Sequence, residues 1–271
     1  MKILTIVGAR PQFVKAAALS REISKHNNLE EIIVHTGQHF DSNMSKVFFE
    51  EMEIPKPKYN LGINSVSHGA MIGRMIEEIE KIILREKPEL LLVYGDTNST
   101  LAGAIAAKKI HLKIAHVEAG LRSFNMDMPE EVNRIITDRI SNFLFCPTQT
   151  AIDNLMKERF QSTEAKIINT GDVMQDAAKF YALRSKEKSS IATKIKYKKF
   201  ILCTLHRAEN TDDPKRLKEI VQALNDIHQT IPIVLPLHPR TKSMLNTIDI
   251  ELEVEIIDPV GYFDMIELLK N

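Results

Sequence analysis

Acidic side chains kept beside cations can transfer protons on an anionic substrate, and one stretch of this chain concentrates both. Between Tyr94 and Arg134 stand Asp96, Glu118 and Glu130, together with Arg122 and Arg134. Asp96 and Glu118 each end an apolar run, one strand–helix unit apart. In an open parallel sheet both reach the carboxyl edge, where such sheets bind ligands. Asp96 precedes Thr97 and Asn98 and stands equally as a cap for the next helix. Glu118 is followed by Ala119-Gly120 rather than by a helix, which favours a functional role. Glu130 and Glu131 lie in the first turn of a predicted helix, where any acid complements the dipole; pattern alone assigns them nothing more.

Basic residues recur at other strand ends. Arg10, in the turn Gly8-Ala9-Arg10-Pro11, can reach a phosphate or carboxylate, helped by the free N–H groups of a helix start. Lys15, one turn later, reads equally as a solvated charge. The turn lacks the G-x-G-x-x-G pattern and there is no Walker A sequence, so no dinucleotide cofactor is expected. His206-Arg207 follows the run FILCTL, and His238-Pro239-Arg240 follows IPIVLPL. Two such pairs in matching positions point to an anion site. Their spacing is not that of a helical metal site, so no metal is expected. His35 and His39 flank the end of the second predicted strand and are further candidates for lining the cleft.

The elements that must position these residues alternate almost from end to end. Short apolar runs (KILTIV, EEIIVHTG, ELLLVYGD, KIAHVEA, LFCPT, AKIINTG) are separated by amphipathic helical patterns, the signature of a parallel sheet wrapped by helices. Helices are expected from the Gly8 turn to about Ser24, over Asn43–Met52, over Ser67–Glu86, after Asp96, from Pro129, and over Thr150–Phe160. Val132, Ile135, Ile136 and Ile140 are expected to form the buried face of the Pro129 helix. IPKPKYNLGINS reads as a loop. The fold class is therefore α/β, with a first α/β domain over 1–171 and a second over 172–271. In the second, a helix runs into a polar connector. FILCTLH, a helix over Asp213–His228, IPIVLPLH, a short helix, VEIIDP and GYFDMIELLKN follow. Three clear strands and a last helix cut short make this second domain incomplete by expectation.

Composition excludes several classes. Lysine plus arginine and aspartate plus glutamate number 36 each, so there is no basic field for nucleic acid or an anionic membrane. No apolar run approaches the ~20 residues that span a bilayer. The start reads as a first strand rather than a signal peptide. Cys146 and Cys203 fall in strand-like runs and are expected as buried free thiols, in keeping with a cytoplasmic protein.

Taken in order, VGARPQFVK, HTGQH, YGDTNST, HVEAGLRS, MPEEVNR, TGDVMQDA, TLHRAEN and LHPRTK resemble the non-hydrolysing UDP-N-acetylglucosamine 2-epimerase family, over the whole chain. The resemblance implies a glycosyltransferase-B-type pair of Rossmann-like domains, a UDP-sugar partner, no cofactor and a homodimer. It implies interconversion of UDP-GlcNAc and UDP-ManNAc by anti elimination of UDP and re-addition. It makes Asp96, Glu118 and Glu130 acid/base candidates, Glu130 against the reading from pattern alone. His206 joins the catalytic set, and Arg10, Lys15, Arg134 and His238 become substrate-binding residues. Family members continue further at the C-terminus. GDTNST and LRSFN stand closer to the branch acting on UDP-2,3-diacetamido-2,3-dideoxyglucuronic acid.

Overall fold

The computed structural model describes residues 1–38, 49, 51–248 and 250–270. Most of the helix expected over Asn43–Met52 lies outside them, as do His39 and Asp41. The described chain divides into two compact units, Met1–Ala177 and Ala178–Asn271.

The first unit is built on seven parallel strands. They are β1 (Lys2–Val7), β2 (Glu30–His35), β3 (Tyr59–Asn60), β4 (Leu90–Tyr94), β5 (Lys113–Val117), β6 (Phe143–Cys146) and β7 (Lys166–Asn169). Their order is β3-β2-β1-β4-β5-β6-β7, so the sheet reverses direction of growth between β1 and β4. Open α/β sheets bind ligands at such a switch point, beyond the carboxyl ends of the two strands. Strands buried on both faces carry runs such as Leu91–Tyr94 rather than an alternating pattern. The helices are α1 (Arg10–Ile23), α2 (His68–Glu86), α3 (Asn98–Lys109), α4 (Pro129–Ile140) and α5 (Gln149–Lys157). Ser67 and Thr97 precede α2 and α3 in extended conformation, and Pro129 occupies the first turn of α4.

The main core lies between β1, β2 and β4 and the helices α2 and α3. It is filled by Leu4, Ile6, Val34, Met75, Ile79, Leu91 and Val93. Helix α3 is buried on almost every side, which explains its Ala and Gly content. A Cβ on Gly103 would sit 3.1 Å from Ile6 and 3.3 Å from Val93, so the helix lies directly on the sheet. Cys146 is fully buried and burial pushes its thiol up to about 12; Cys203 is partly exposed, and both are free.

Two expectations about this unit fail. The stretch IPKPKYNLGINS is not all loop. Tyr59 and Asn60 pair with Val34 and His35 as the short edge strand β3, because the chain there runs alongside an otherwise unpaired strand. Helix α4 fully buries none of its isoleucines: Ile135 and Ile140 are half-buried, Ile140 against the main core. Its buried positions are Glu131, Asn133, Thr137 and Asp138, while Ile136 is exposed. That side of the helix faces polar partners at the sheet edge rather than the apolar core.

Helix α6 (Val173–Ala182) contains the division between the units. The second unit has a three-stranded parallel sheet, β8 (Ile201–Leu202), β9 (Ile233–Pro236) and β10 (Glu255–Ile257), in the order β10-β9-β8. Only two residues of the expected strand FILCTLH join it. Its helices are α7 (Ser185–Lys188), α8 (Ala208–Thr211), α9 (Pro214–His228), α10 (Pro239–Leu245) and α11 (Tyr262–Lys270). Leu205, Leu217, Val221, Ile233, Leu235 and Leu237 form its core. The polar connector is part of the packing. Ser185 is buried and donates to Glu267 of α11 at 2.6 Å.

Candidate active site

The switch point is assembled by small residues and one buried glutamine. Gly8, at the end of β1, has no room for a side chain. A Cβ there would lie 2.1 Å from Thr36 Oγ1 and 2.2 Å from Ser99 Oγ. Gln12, in the first turn of α1, ties the two sides of the switch point together. Its carbonyl accepts from the Gly8 and Ala9 N–H groups at 2.8 and 3.1 Å, and its amide donates to Tyr94 O and Thr100 Oγ1, each at 3.0 Å. The turn bearing Arg10 is thereby fixed against the end of β4. Gln12 drew no attention as a single residue in the sequence, although it lies within the VGARPQFVK motif.

Asp96 is not the cap of α3. Thr97 takes that place, its hydroxyl accepting from Thr100 N at 3.3 Å. The Asp96 carboxylate instead pairs with Arg134 of α4. Behind Arg134, Glu131 is 1% exposed and stands 3.2 Å from the guanidinium. The Glu131 carboxylate also accepts from Ser123 N, Ser123 Oγ and Phe124 N at 2.9 to 3.0 Å. Burial alone would raise its pKa, but those donors and Arg134 outweigh burial and hold it below the usual range. Glu131 is thus more than a dipole acid: it clamps the 121–124 loop and orients Arg134. Asn133 completes the support, donating to Asp96 O at 2.8 Å and Asn98 Oδ1 at 3.2 Å.

Glu118 directly follows β5 with φ +71, a left-handed conformation uncommon outside glycine. Its carboxylate receives Lys15 Nζ at 2.7 Å, from α1 across the switch point. Lys15 is therefore a buried counter-ion, not a solvated charge. Gly95 lies beneath the pair, at φ +60; a Cβ there would meet Lys15 Nζ at 3.1 Å and Glu118 Oε1 at 3.4 Å. Asp96 follows Gly95 directly, so Asp96–Arg134 and Glu118–Lys15 sit side by side at the edge of the sheet.

Other candidates are placed differently. Glu130 is exposed on the first turn of α4. Arg122 is withdrawn from the acids it neighbours in sequence. Its side chain is 1% exposed and binds Asp138 at 2.7 Å and Glu158 at 2.6 and 2.9 Å. His35 does not line a cleft: it is buried and stacks on Phe13, ring centroids 5.3 Å apart. In the second unit, His206 is exposed beyond β8. His238 caps α10, its Nδ1 accepting from Arg240 N at 3.2 Å. Arg240 binds Asp212 through two hydrogen bonds of 2.7 and 2.8 Å, both side chains half exposed. Among the described residues no cluster of metal-ligating side chains occurs, and no helix is long and apolar enough to cross a membrane.

Comparison with known proteins identifies the family. The family described as UDP-N-acetylglucosamine 2-epimerase matches residues 21–271. Over its full length the chain is 61% identical to the UDP-2,3-diacetamido-2,3-dideoxy-D-glucuronate 2-epimerase of Pseudomonas aeruginosa, covering 76% of that protein. It is 43% identical to the UDP-N-acetylglucosamine 2-epimerase of Methanocaldococcus jannaschii, again covering 76% of the relative. A crystal structure of the M. jannaschii UDP-GlcNAc 2-epimerase in complex with UDP-GlcNAc and UDP superposes with a TM-score of 0.88, over 100% of this chain and 77% of that one. The Neisseria meningitidis enzyme bound to UDP-GlcNAc gives 0.87 at 30% identity, over 99% of this chain and 75% of that one. The chain belongs to the UDP-N-acetylglucosamine 2-epimerase family and is an enzyme of the epimerase type.

Proposed function

We propose that the chain inverts C2 of a UDP-linked amino sugar, with Asp96, Glu118 and Glu130 as acid/base carboxylates and His206 as a further catalytic group. Arg10, Lys15, Arg134 and His238 hold the sugar and diphosphate in this reading. The observation that carries it is the placement of Glu118. A glutamate at φ +71, fixed by a buried lysine beside Asp96–Arg134, is held in a conformation that folding alone does not favour. The reading includes a glycosyltransferase-B-type pair of domains and a cytoplasmic homodimer.

In the reaction, a carboxylate removes the C2 proton as the C1–O bond to UDP breaks. The C2–H electron pair becomes the C1=C2 double bond of a glycal, and UDP leaves with the C1–O pair. UDP then adds back to C1 through its terminal phosphate oxygen while C2 takes a proton on the opposite face. Such a sequence needs one proton-transfer group for each face and cations for the departing diphosphate. Paired counter-ions such as Lys15 and Arg134 hold the two carboxylates in fixed positions before substrate arrives.

As substrate we favour UDP-2,3-diacetamido-2,3-dideoxyglucuronic acid. The relative named for it is 61% identical, against 45% and 43% for two relatives named for UDP-GlcNAc. UDP-GlcNAc is the second choice, supported by the family match. The test is NMR of each UDP-sugar with the chain in heavy water. Deuterium is expected at C2 with the UDP linkage retained, and Glu118→Gln is expected to slow it by roughly 100-fold or more. Release of free sugar, or turnover without C2 exchange, refutes the reading. Faster turnover of UDP-GlcNAc reverses the order of substrates.

A further inference from the structure

Below the turns that carry Asp96 and Glu118 lies a buried chain of charges to which the reaction assigns nothing. His116, on β5, and Asp138, on α4, are both 0% exposed, with His116 Nδ1 and Asp138 Oδ1 2.7 Å apart. The other ring nitrogen, Nε2, donates to Gly95 O at 2.7 Å. Asp138 Oδ2 accepts from Gly120 N at 3.1 Å and from Arg122 Nη1 at 2.7 Å. Arg122 continues to Leu121 O and, on its other side, to Glu158.

We infer that His116 and Asp138 are positioning residues for the two proton-transfer carboxylates, an inference that rests on the epimerase reading of that site. The pair grips the peptide before Asp96 through Gly95 O and the peptide two residues beyond Glu118 through Gly120 N. Three residues of these turns, Gly95, Glu118 and Gly120, have φ of +60, +71 and +80. Left-handed backbone at a glutamate persists only where its surroundings over-determine it. One buried pair thereby sets the spacing of both turns. A carbonyl oxygen and a carboxylate both accept, so the geometry calls for a proton on each nitrogen of His116. The chain is buried at His116, Asp138 and Arg122 and reaches the surface only at Glu158, whose side chain is 28% exposed. A buried ionic chain of this kind is weak evidence for stability and fits a role in fixing geometry.

The test compares Asp138→Asn and His116→Gln with the unsubstituted chain, assayed well below each unfolding midpoint. Asp138→Asn keeps an acceptor for Gly120 N and removes the counter-charge. Both variants are expected to lose roughly 10- to 100-fold in kcat, with KM for the UDP-sugar changed less than about threefold. Ile79→Val, on the buried face of α2, provides a variant with a lowered midpoint and an unchanged kcat. Wild-type kcat in folded Asp138→Asn, or a loss confined to KM, overturns the inference. Should neither variant fold, NMR of the unsubstituted chain decides. Two slowly exchanging ring N–H protons on His116 are expected, and a single one overturns the inference. Glu118→Gln separates this outcome from the reading beneath it. If that variant keeps full C2 exchange, the epimerase site itself is misassigned. If it is dead while Asp138→Asn is fully active, only the positioning role fails.

Discussion

At the scale of single residues, Gly95 shows how closely the candidate site is built. Its φ of +60 suits glycine, and the space over its Cα is already taken by Lys15 Nζ and Glu118 Oε1. Alanine there faces about 1 kcal/mol of left-handed strain and pushes on a buried ion pair. Gly95→Ala is therefore expected to lower stability by roughly 1–2 kcal/mol and kcat by at least about tenfold. Urea unfolding and C2 exchange measured on the same preparation check both. Of the two carboxylates, Glu118 was legible in the sequence because Ala119-Gly120 leaves it no helix to cap. Its partner was not. Lys15 lies 103 residues away, and nothing local distinguishes it from a solvated lysine. Asp96 remained open for the opposite reason: Thr97 and Asn98 are good caps, and only coordinates show that Thr97 takes the role.

At the scale of elements, the strand–helix alternation was readable because strands buried on both faces are apolar throughout and amphipathic helices separate them. Helix α4 is where the reading fails. Its isoleucines have helical spacing, and that spacing predicts a buried apolar face. The helix instead buries Glu131, Asn133, Thr137 and Asp138, because it packs across the sheet edge where Asp96 and the 121–124 loop offer polar partners. Hydrophobic periodicity cannot register a face held by hydrogen bonds. The usual rules for substitution should then be inverted on this helix. Ile136→Lys is expected to change stability by less than about 0.5 kcal/mol. Asn133→Leu, apolar and similar in size, is expected to cost roughly 2 kcal/mol, since it leaves Asp96 O and Asn98 Oδ1 without their donor. Thermal unfolding of the two variants side by side tests the inversion.

At the scale of the whole molecule, the described carboxyls with shifted acidity do not all move in one direction, so stability against pH is set by opposing groups. Burial raises the pKa of Glu31, whose carboxyl accepts from Thr5 Oγ1 at 2.6 Å. Glu86 is held down to about 2 by Lys58, 2.7 Å away, and by the Tyr59 hydroxyl. For Glu86 the folded value lies below the ordinary ~4.3 of the unfolded chain. Its stabilising contribution is therefore present above that value and is lost as pH falls towards 2. For Glu31 the order is reversed: its contribution is complete below the unfolded value and is lost as pH rises through the folded one. As pH rises above the unfolded value, the burial of Glu31 works increasingly against the fold. Glu31→Gln keeps the acceptor for Thr5 and removes that charge. The variant is expected to match the unsubstituted chain near about pH 4 and to exceed it in unfolding midpoint by a margin that widens towards about pH 8. Glu86→Gln should show the opposite course, less stable at about pH 7 and converging with the parent as pH drops towards about 3. Scanning fluorimetry across that range reads both. A constant difference for either variant would mean that the charge of that carboxyl does not set the balance.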